Sequence, residues 1–179
     1  MNYNSNTFYI EPLKFDDALN LNKLLVSNTE RFKRYLPKTL SENRTFQSTK
    51  AYIIKREEVM KSKLEYTFTI KDKTSKTIAG IIIIKAIDWE TKKGEFAYCL
   101  GESFEGNGWM SEAILATSKF AFQKLRLEKL QIISHKTNIA SIKVAEKNNF
   151  VWQKTLKQEF TPTGEQPLDM ELYELVYEG

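Results

Sequence analysis

Residues 105–112 read Glu-Gly-Asn-Gly-Trp-Met-Ser-Glu, and two of the chain's seven glycines, Gly106 and Gly108, stand there directly before a helical pattern. A strand, a tight glycine turn and a helix N-terminus together make an anion site. The first-turn amides have no carbonyl partner, and the helix dipole favours negative charge beside them. Glycine brings the backbone close, because no Cβ stands between amide and ligand. Asn107, Gly108, Trp109, Met110 and Ser111 each offer an N–H, and Ser111 adds a hydroxyl, so a pyrophosphate suits this corner. The same pair also serves as an ordinary tight turn. Two other phosphate loops are excluded on detail: no third glycine follows Ser111 as a dinucleotide fingerprint requires, and no Gly-Lys-Ser/Thr closes a Walker loop.

A second constellation lies downstream in His135–Phe150, HKTNIASIKVAEKNNF. Asn138 suits a helix N-cap with Ser141 three residues later, and Asn149 stands after the helix where a positive φ is usual. His135 has a suitable ordinary pKa, ~6.5, but a lone histidine at a strand end is more often structural. Cys99 has no neighbouring His–acid pair in the sequence, which argues against an acyl-cysteine intermediate. Trp109 and Trp152 read as packing residues, with Trp109 placed to shield a ligand at the corner.

These residues need a scaffold, and the hydrophobic periodicity supplies one. Residues 7–13 read as a strand, followed by a helix capped by Asp16 and Asp17 with Ala18, Leu21, Leu24 and Leu25 on its inner face. Residues 28–40 read as helix then loop, and 45–63 as a second long helix. Tyr66, Phe68 and Ile70 alternate with Thr67, Thr69 and Lys71, as in a half-buried strand. Residues 77–87 and 95–100 complete a three-stranded meander. A helix over about 110–125 carries the stripe Met110, Ala113, Ile114, Thr117 and Ala121; strand 128–134, helix 138–148 and strands 150–159 and 168–177 follow. This order predicts a mixed sheet covered by helices in one domain over residues 1–179.

Composition narrows the classes. Net charge is +4 with lysines scattered along the chain, which reads as a solubilising surface and not as a nucleic-acid module. No apolar run approaches the ~20 residues of a membrane helix, and no basic-then-apolar leader opens the sequence. One cysteine excludes an internal disulfide, and no residues cluster with His135 to hold a metal. The expectation is a cytoplasmic, reduced, soluble protein without a structural metal.

The stretch 98–150 resembles the GNAT (GCN5-related) N-acetyltransferase superfamily, most closely the RimJ/RimL-type branch that acetylates N-terminal alanine or serine of ribosomal proteins. That branch shows a segment like F-x-G-x-G-[YI]-[MA]-[TS]-E-A, here FEGNGWMSEA at Phe104–Ala113. It then shows N-x-x-S-x-x-V-x-E-K-x-G-F, here NIASIKVAEKNNF at Asn138–Phe150. Lys157–Phe160 and the closing Asp169–Leu175 also look like that branch, and the similarity spans most of the chain. The resemblance implies an α/β fold with a mixed, mostly antiparallel sheet of about seven strands, splayed in the middle, flanked by about four helices. It implies acetyl-CoA as cosubstrate and direct transfer to a primary amine, foremost a protein N-terminal α-amine. A small amine (polyamine, aminoglycoside or amino acid) as acceptor, or a non-catalytic acyl-CoA-binding module, are the alternatives. Dimers are common in such proteins, so a homodimer is one expected assembly.

By carry-over, the pyrophosphate sits on Gly106, Asn107, Gly108, Trp109, Met110 and Ser111. The pantetheine arm pairs with Tyr98, Cys99 and Leu100, Asn138 bonds it, and Lys143 approaches the nucleotide. A backbone amide of the Cys99–Leu100 stretch would serve the developing oxyanion. Residues 31–40 and the turn 161–167 would line the acceptor side. Three positions depart from the family pattern: Glu105 stands where Arg or Gln often opens the corner, Asn149 replaces the glycine before phenylalanine, and Ala145 occupies the place of a tyrosine acid in many relatives. The proton for the leaving thiolate must then come from elsewhere. Ser141 is the first candidate, because the branch carries a serine there. Glu159, and Glu95 on the strand lining the slot, are candidates for drawing a proton from the amine through water.

Overall fold

A computed structural model describes residues 1–177, and the chain divides into two compact units of interleaved sequence. The first comprises 1–83 and 98–107; the second comprises 84–97 and the chain from Gly108 onward.

In the first unit, β1 (Tyr3–Asn4) and β2 (Phe8–Pro12) lead through a 3₁₀ turn at Phe15–Asp17 into α1 (Ala18–Ser27). Two short helices follow, α2 (Thr29–Phe32) and α3 (Pro37–Ser41), then α4 (Phe46–Lys61) and β3 (Tyr66–Asp72). The unit also holds the first half of β4 (Ile78–Asp88) and the last residues of β5 (Lys93–Leu100). The strands are ordered β1-β2-β3-β4. β2 pairs antiparallel with β3 in a register that sets Ile10 opposite Ile70, both buried. α4 starts at a reciprocal cap: the Thr45 hydroxyl accepts from the Ser48 amide at 3.1 Å while Ser48 Oγ accepts from Thr45 N. α1 packs on α4 through the expected face, with Ala18, Leu21, Leu24 and Leu25 all buried.

Two expectations need correcting in this unit. Asp16 and Asp17 do not cap α1, which has no side-chain cap. Asp17 instead turns back to accept from Lys14 N at 3.0 Å and forms an ion pair with Lys71, sixth residue of β3. β3 is also buried on both faces: Thr67, Thr69 and Lys71 are as enclosed as Phe68 and Ile70. Polar partners make that burial tolerable. Thr69 Oγ1 donates to the Glu11 carbonyl at 3.3 Å, and Lys71 Nζ reaches both Glu11, at 2.6 Å, and Asp17.

The second unit contains the rest of β4 and β5, then α5 (Trp109–Gln123), β6 (Lys129–Ser134), α6 (Ile139–Lys147), β7 (Val151–Phe160) and β8 (Leu168–Val176). Its strand order is β5-β6-β8-β7, with β5/β6 parallel and β6/β8 and β7/β8 antiparallel. The parallel ladder runs from Lys93–Lys129 to Phe96–Ile132, and β5 continues four residues beyond it. The predicted stripe of α5 is the packed one: Met110, Ala113, Ile114, Thr117 and Ala121 are buried. Asn149 has φ +61°, the left-handed step anticipated after α6. It returns the chain so that Phe150 packs edge-on against Phe96, with ring centroids 6.2 Å apart.

The architecture is mixed α/β with mostly antiparallel pairing. Eight strands appear among the described residues where about seven were expected. The addition is the two-residue β1, too short to leave a periodic signal. Six α-helices appear among the described residues where about four were expected, because α2 and α3 occupy most of the stretch read as helix then loop.

Candidate active site

The glycine corner begins where β5 ends. Gly101 donates to the Ala79 carbonyl at 2.7 Å, keeping the chain against β4 for one residue past the strand. A 3₁₀ turn at Glu102–Phe104 follows, and then Gly106 and Gly108 adopt left-handed conformations, φ +78° and +76°. Two such steps either side of Asn107 turn the backbone sharply into α5, whose first intrahelical bond is Glu112 N to Gly108 O, 3.1 Å. The amides of Gly108, Trp109, Met110 and Ser111 therefore precede the helical ladder. An added Cβ at Gly106 or Gly108 would meet nothing within 4 Å. The space over both glycines is open, and the backbone reaches it bare. The Asn107 side chain folds back to donate to the Glu105 carbonyl at 3.2 Å. Trp109 is buried, so it packs into the fold. Glu105–Gly108 are exposed, and Ser111 is half-buried.

β5 offers a second feature of the backbone. The Cys99 carbonyl lies 2.4 Å from where a Cβ on Gly80 would stand, so that peptide faces β4. With Gly101 N also bonded to β4, alternation along the strand directs the Leu100 amide the other way. Of the Cys99–Leu100 pair, Leu100 is the one whose N–H points away from β4. The Cys99 thiol is buried, and burial pushes its pKa up to about 12 despite a backbone hydrogen bond from Ile81. A thiol held so far from ionisation is a packing group, in keeping with direct transfer.

In the second unit, α6 carries the other constellation. Asn138 caps it, its Oδ1 accepting from Ser141 N at 3.3 Å. Ser141 is half-buried on the first turn and Lys143 is exposed. α5 and α6 pack on each other, so the helix bearing Gly108–Ser111 at its start and the helix bearing Asn138–Lys143 at its start are neighbours. His135 is structural: Thr137 N donates to its Nδ1 at 3.3 Å, Thr137 Oγ1 lies 2.7 Å away, and the His135 carbonyl accepts from Asn138 N. This knot fixes the turn between β6 and α6.

The two carboxylate candidates differ. Glu95 is bound to Lys85 at 2.5 Å, an ion pair that occupies one of its oxygens. Glu159 is exposed on β7, beside an irregularity in the β7/β8 register centred on Gln158, φ +52°. Asp169 on β8 straps that bulge, accepting from Gln158 N at 3.0 Å and from Lys157 Nζ at 2.7 Å. These hydrogen bonds hold the Asp169 carboxyl below the ordinary aspartate range. Trp152, read as a packing residue, is instead half-exposed on β7, its indole N–H donating to Glu171 at 2.6 Å.

Two residues beside the corner carried no recognisable sequence signal. Asn28 Oδ1 accepts from Glu102 N at 3.1 Å, and Arg31 pairs with Glu105 and, at 3.5 Å, Glu102. Both contacts join positions 74 apart, and only the fold brings them together.

Residues 8–151 match the family model described as acetyltransferase (GNAT) domain, and the chain belongs to that family of acetyltransferase enzymes. A curated relative, "Probable N-acetyltransferase YjcK" of Bacillus subtilis (strain 168), is 24% identical over 145 residues, 80% of either chain. Among solved structures, the ribosomal-protein-S5-alanine acetyltransferase of Vibrio fischeri superposes with a TM-score of 0.93 at 21% identity, covering 99% of this chain and 97% of that one. A RimL ribosomal L7/L12 α-N-protein acetyltransferase in complex with coenzyme A gives a TM-score of 0.90 at 20% identity, with 99% of both chains covered. These structures share the fold. Among the described residues, no helix is long and apolar enough to cross a membrane, and no group of three His, Cys, Asp or Glu is placed to hold a metal.

Proposed function

We propose that this enzyme transfers acetyl from acetyl-CoA to the N-terminal α-amine of a protein, with a ribosomal protein as the foremost acceptor class. The observation that carries the cofactor half is the paired left-handed glycines with open space above them, opening a fifteen-residue helix. That open space leaves room for a diphosphate on those amides. The acceptor half rests on the similarity to acetyltransferases named for ribosomal proteins.

Acetyl-CoA brings an activated acetyl group as a thioester. The amides of Gly106–Ser111 hold its diphosphate, Asn138 and the backbone of Tyr98–Leu100 hold the pantetheine, and Lys143 meets the nucleotide. Holding thioester and amine together supplies much of the rate, since effective molarity is worth ~7–11 kcal/mol. The outward Leu100 N–H is the donor for the oxyanion. Ser141 donates a hydrogen bond to the departing thiolate and passes it a proton that its hydroxyl regains from water. Glu159 takes the amine proton through water in preference to Glu95, which Lys85 already engages.

The test is a transfer assay with acetyl-CoA against peptides beginning with Ala or Ser, run beside spermidine, an aminoglycoside and free amino acids. Thiol release is followed continuously, and mass spectrometry locates the acetyl group. Acetylation at the peptide α-amine is expected, with Ser141→Ala lowering kcat about 10²-fold or more while KM for acetyl-CoA changes little. Turnover confined to the small amines would overturn the acceptor assignment.

A further inference from the structure

The glycine corner is entered through two carboxylates, Glu102 and Glu105, the second immediately before Gly106. Negative charge there opposes a diphosphate on the neighbouring amides. Arg31 on α2 answers it. One guanidinium nitrogen donates to Glu105 and the other lies 3.5 Å from Glu102. We propose that Arg31 is a positioning residue for the cofactor: it neutralises the entrance of the glycine corner so that a nucleotide diphosphate can settle on the amides of Gly106–Ser111. This rests on the acetyl-CoA reading above and names a residue of that site which neither motif contains.

The surroundings separate charge from scaffolding. The segment Gly101–Phe104 is already held without Arg31. Asn28 accepts from Glu102 N and donates to the Leu24 carbonyl at 2.9 Å, bridging the turn to the end of α1. Gly101 lies so close to α1 that a Cβ on it would come within 2.9 Å of Leu24 Cδ1. Phe104 N and Glu105 N close the 3₁₀ turn on Gly101 O and Glu102 O. Arg31 is partly exposed, as is Glu105, and an ion pair of that kind contributes little to folding. Its contribution is therefore to the local potential. Removing the guanidinium leaves two carboxylates facing an incoming dianion; removing Glu105 as well takes away most of what Arg31 answers. Because Arg31 belongs to the segment expected to line the acceptor side, the same contact ties that segment to the cofactor corner.

Acetyl-CoA affinity is measured by calorimetry at low and high salt for the unaltered chain, Arg31→Gln, Arg31→Lys, Glu105→Gln and the double variant Arg31→Gln/Glu105→Gln. Thermal melting of each confirms the fold. Arg31→Gln is expected to weaken binding about five-fold at low salt, the upper size of one partly exposed charge contact, with the loss shrinking as salt screens it. Arg31→Lys keeps the affinity within about two-fold, and the double variant returns to within about two-fold of the unaltered chain. KM for S-acetylpantetheine, which has no diphosphate, stays unchanged in Arg31→Gln. Unchanged affinity in Arg31→Gln, or a double variant as weak as Arg31→Gln, would overturn the proposal while leaving the acetyl-CoA reading in place. No binding by the unaltered chain would overturn both.

Discussion

Three glycines in this chain share one conformation, and that permits a controlled experiment on the corner. Gly106, Gly108 and Gly164 have φ of +78°, +76° and +79°, and a Cβ at any of them would meet no atom within 4 Å. Alanine at each therefore meets no steric resistance from the protein and carries only the backbone penalty of a left-handed L-residue, about 1–2 kcal/mol. For a chain of this length a loss of 1 kcal/mol lowers the melting temperature by about 2–4 °C, so each variant should melt about 2–8 °C lower. The three should agree with one another within a few degrees.

Ligand affinity should separate them. Gly106 and Gly108 bracket the proposed diphosphate, whereas Gly164 lies in the turn between β7 and β8. A methyl group that pushes the diphosphate off one amide forfeits a charge-assisted hydrogen bond of about 1.5–3 kcal/mol, or roughly ten- to a hundred-fold in Kd. Calorimetry with acetyl-CoA and desulfo-CoA then reads Gly106→Ala and Gly108→Ala against Gly164→Ala, with Gly108→Trp as the extreme case. Equal affinities in all three alanine variants would refute the reasoning, since the open space at the corner would then belong to no ligand.

Other expectations follow from single contacts. With its thiol pushed up to about 12, Cys99 should resist iodoacetamide in the native state at pH 8, label fully once unfolded, and tolerate Cys99→Ala without loss of kcat. Gly80→Ala places a Cβ 2.4 Å from the Cys99 carbonyl oxygen; forcing β4 from β5 should cost about 3 kcal/mol, seen as a melting temperature lower by about 6–12 °C. For Glu11, burial raises the pKa but hydrogen bonds from Lys14 and Lys71 outweigh it and leave the net value lowered. Its contribution to stability is thus present above its ordinary pKa of ~4.5 and lost as pH falls through the depressed folded value. Lys71 has the opposite sign: burial lowers its pKa, the bonds to Asp17 and Glu11 overcome this, and the net value is raised. Its contribution is full below ~10.5 and disappears as pH rises through the folded value. Urea midpoints across pH should show both edges, and Glu11→Gln should flatten the acid one.

What could be read from the sequence was local. The corner, the Asn138 cap and the left-handed Asn149 are decided by residues within three or four positions, and glycine and asparagine announce such places by type. The packed stripe of α5 was legible for the same reason, since its period is the helix's own. What escaped depends on partners far along the chain. β3 reads as half-buried because threonine and lysine look solvent-facing, and the burial of Lys71 is compensated by Glu11 and Asp17, sixty and fifty-four positions away. Arg31 met Glu105 in the same way. Glu95 looked like a free carboxylate until the fold paired it with Lys85.

The absence of a tyrosine at Ala145 becomes intelligible on the same terms. Ala145 is fully buried, and its carbonyl accepts from both Asn148 N, at 3.1 Å, and Phe150 N, at 3.0 Å, so the position closes the end of α6. A ring as large as tyrosine's would have to displace that packing, and a buried phenol needs a hydrogen-bond partner as well. Ser141 lies one turn earlier, four residues away, and therefore on the same face of the helix. It is less enclosed than Ala145 and carries a hydroxyl. A helix that has given position 145 to packing offers its nearest exchangeable proton on that face at 141, next to the cap that Asn138 fixes. The serine candidate thus gains support from the residue that seemed to speak against catalysis.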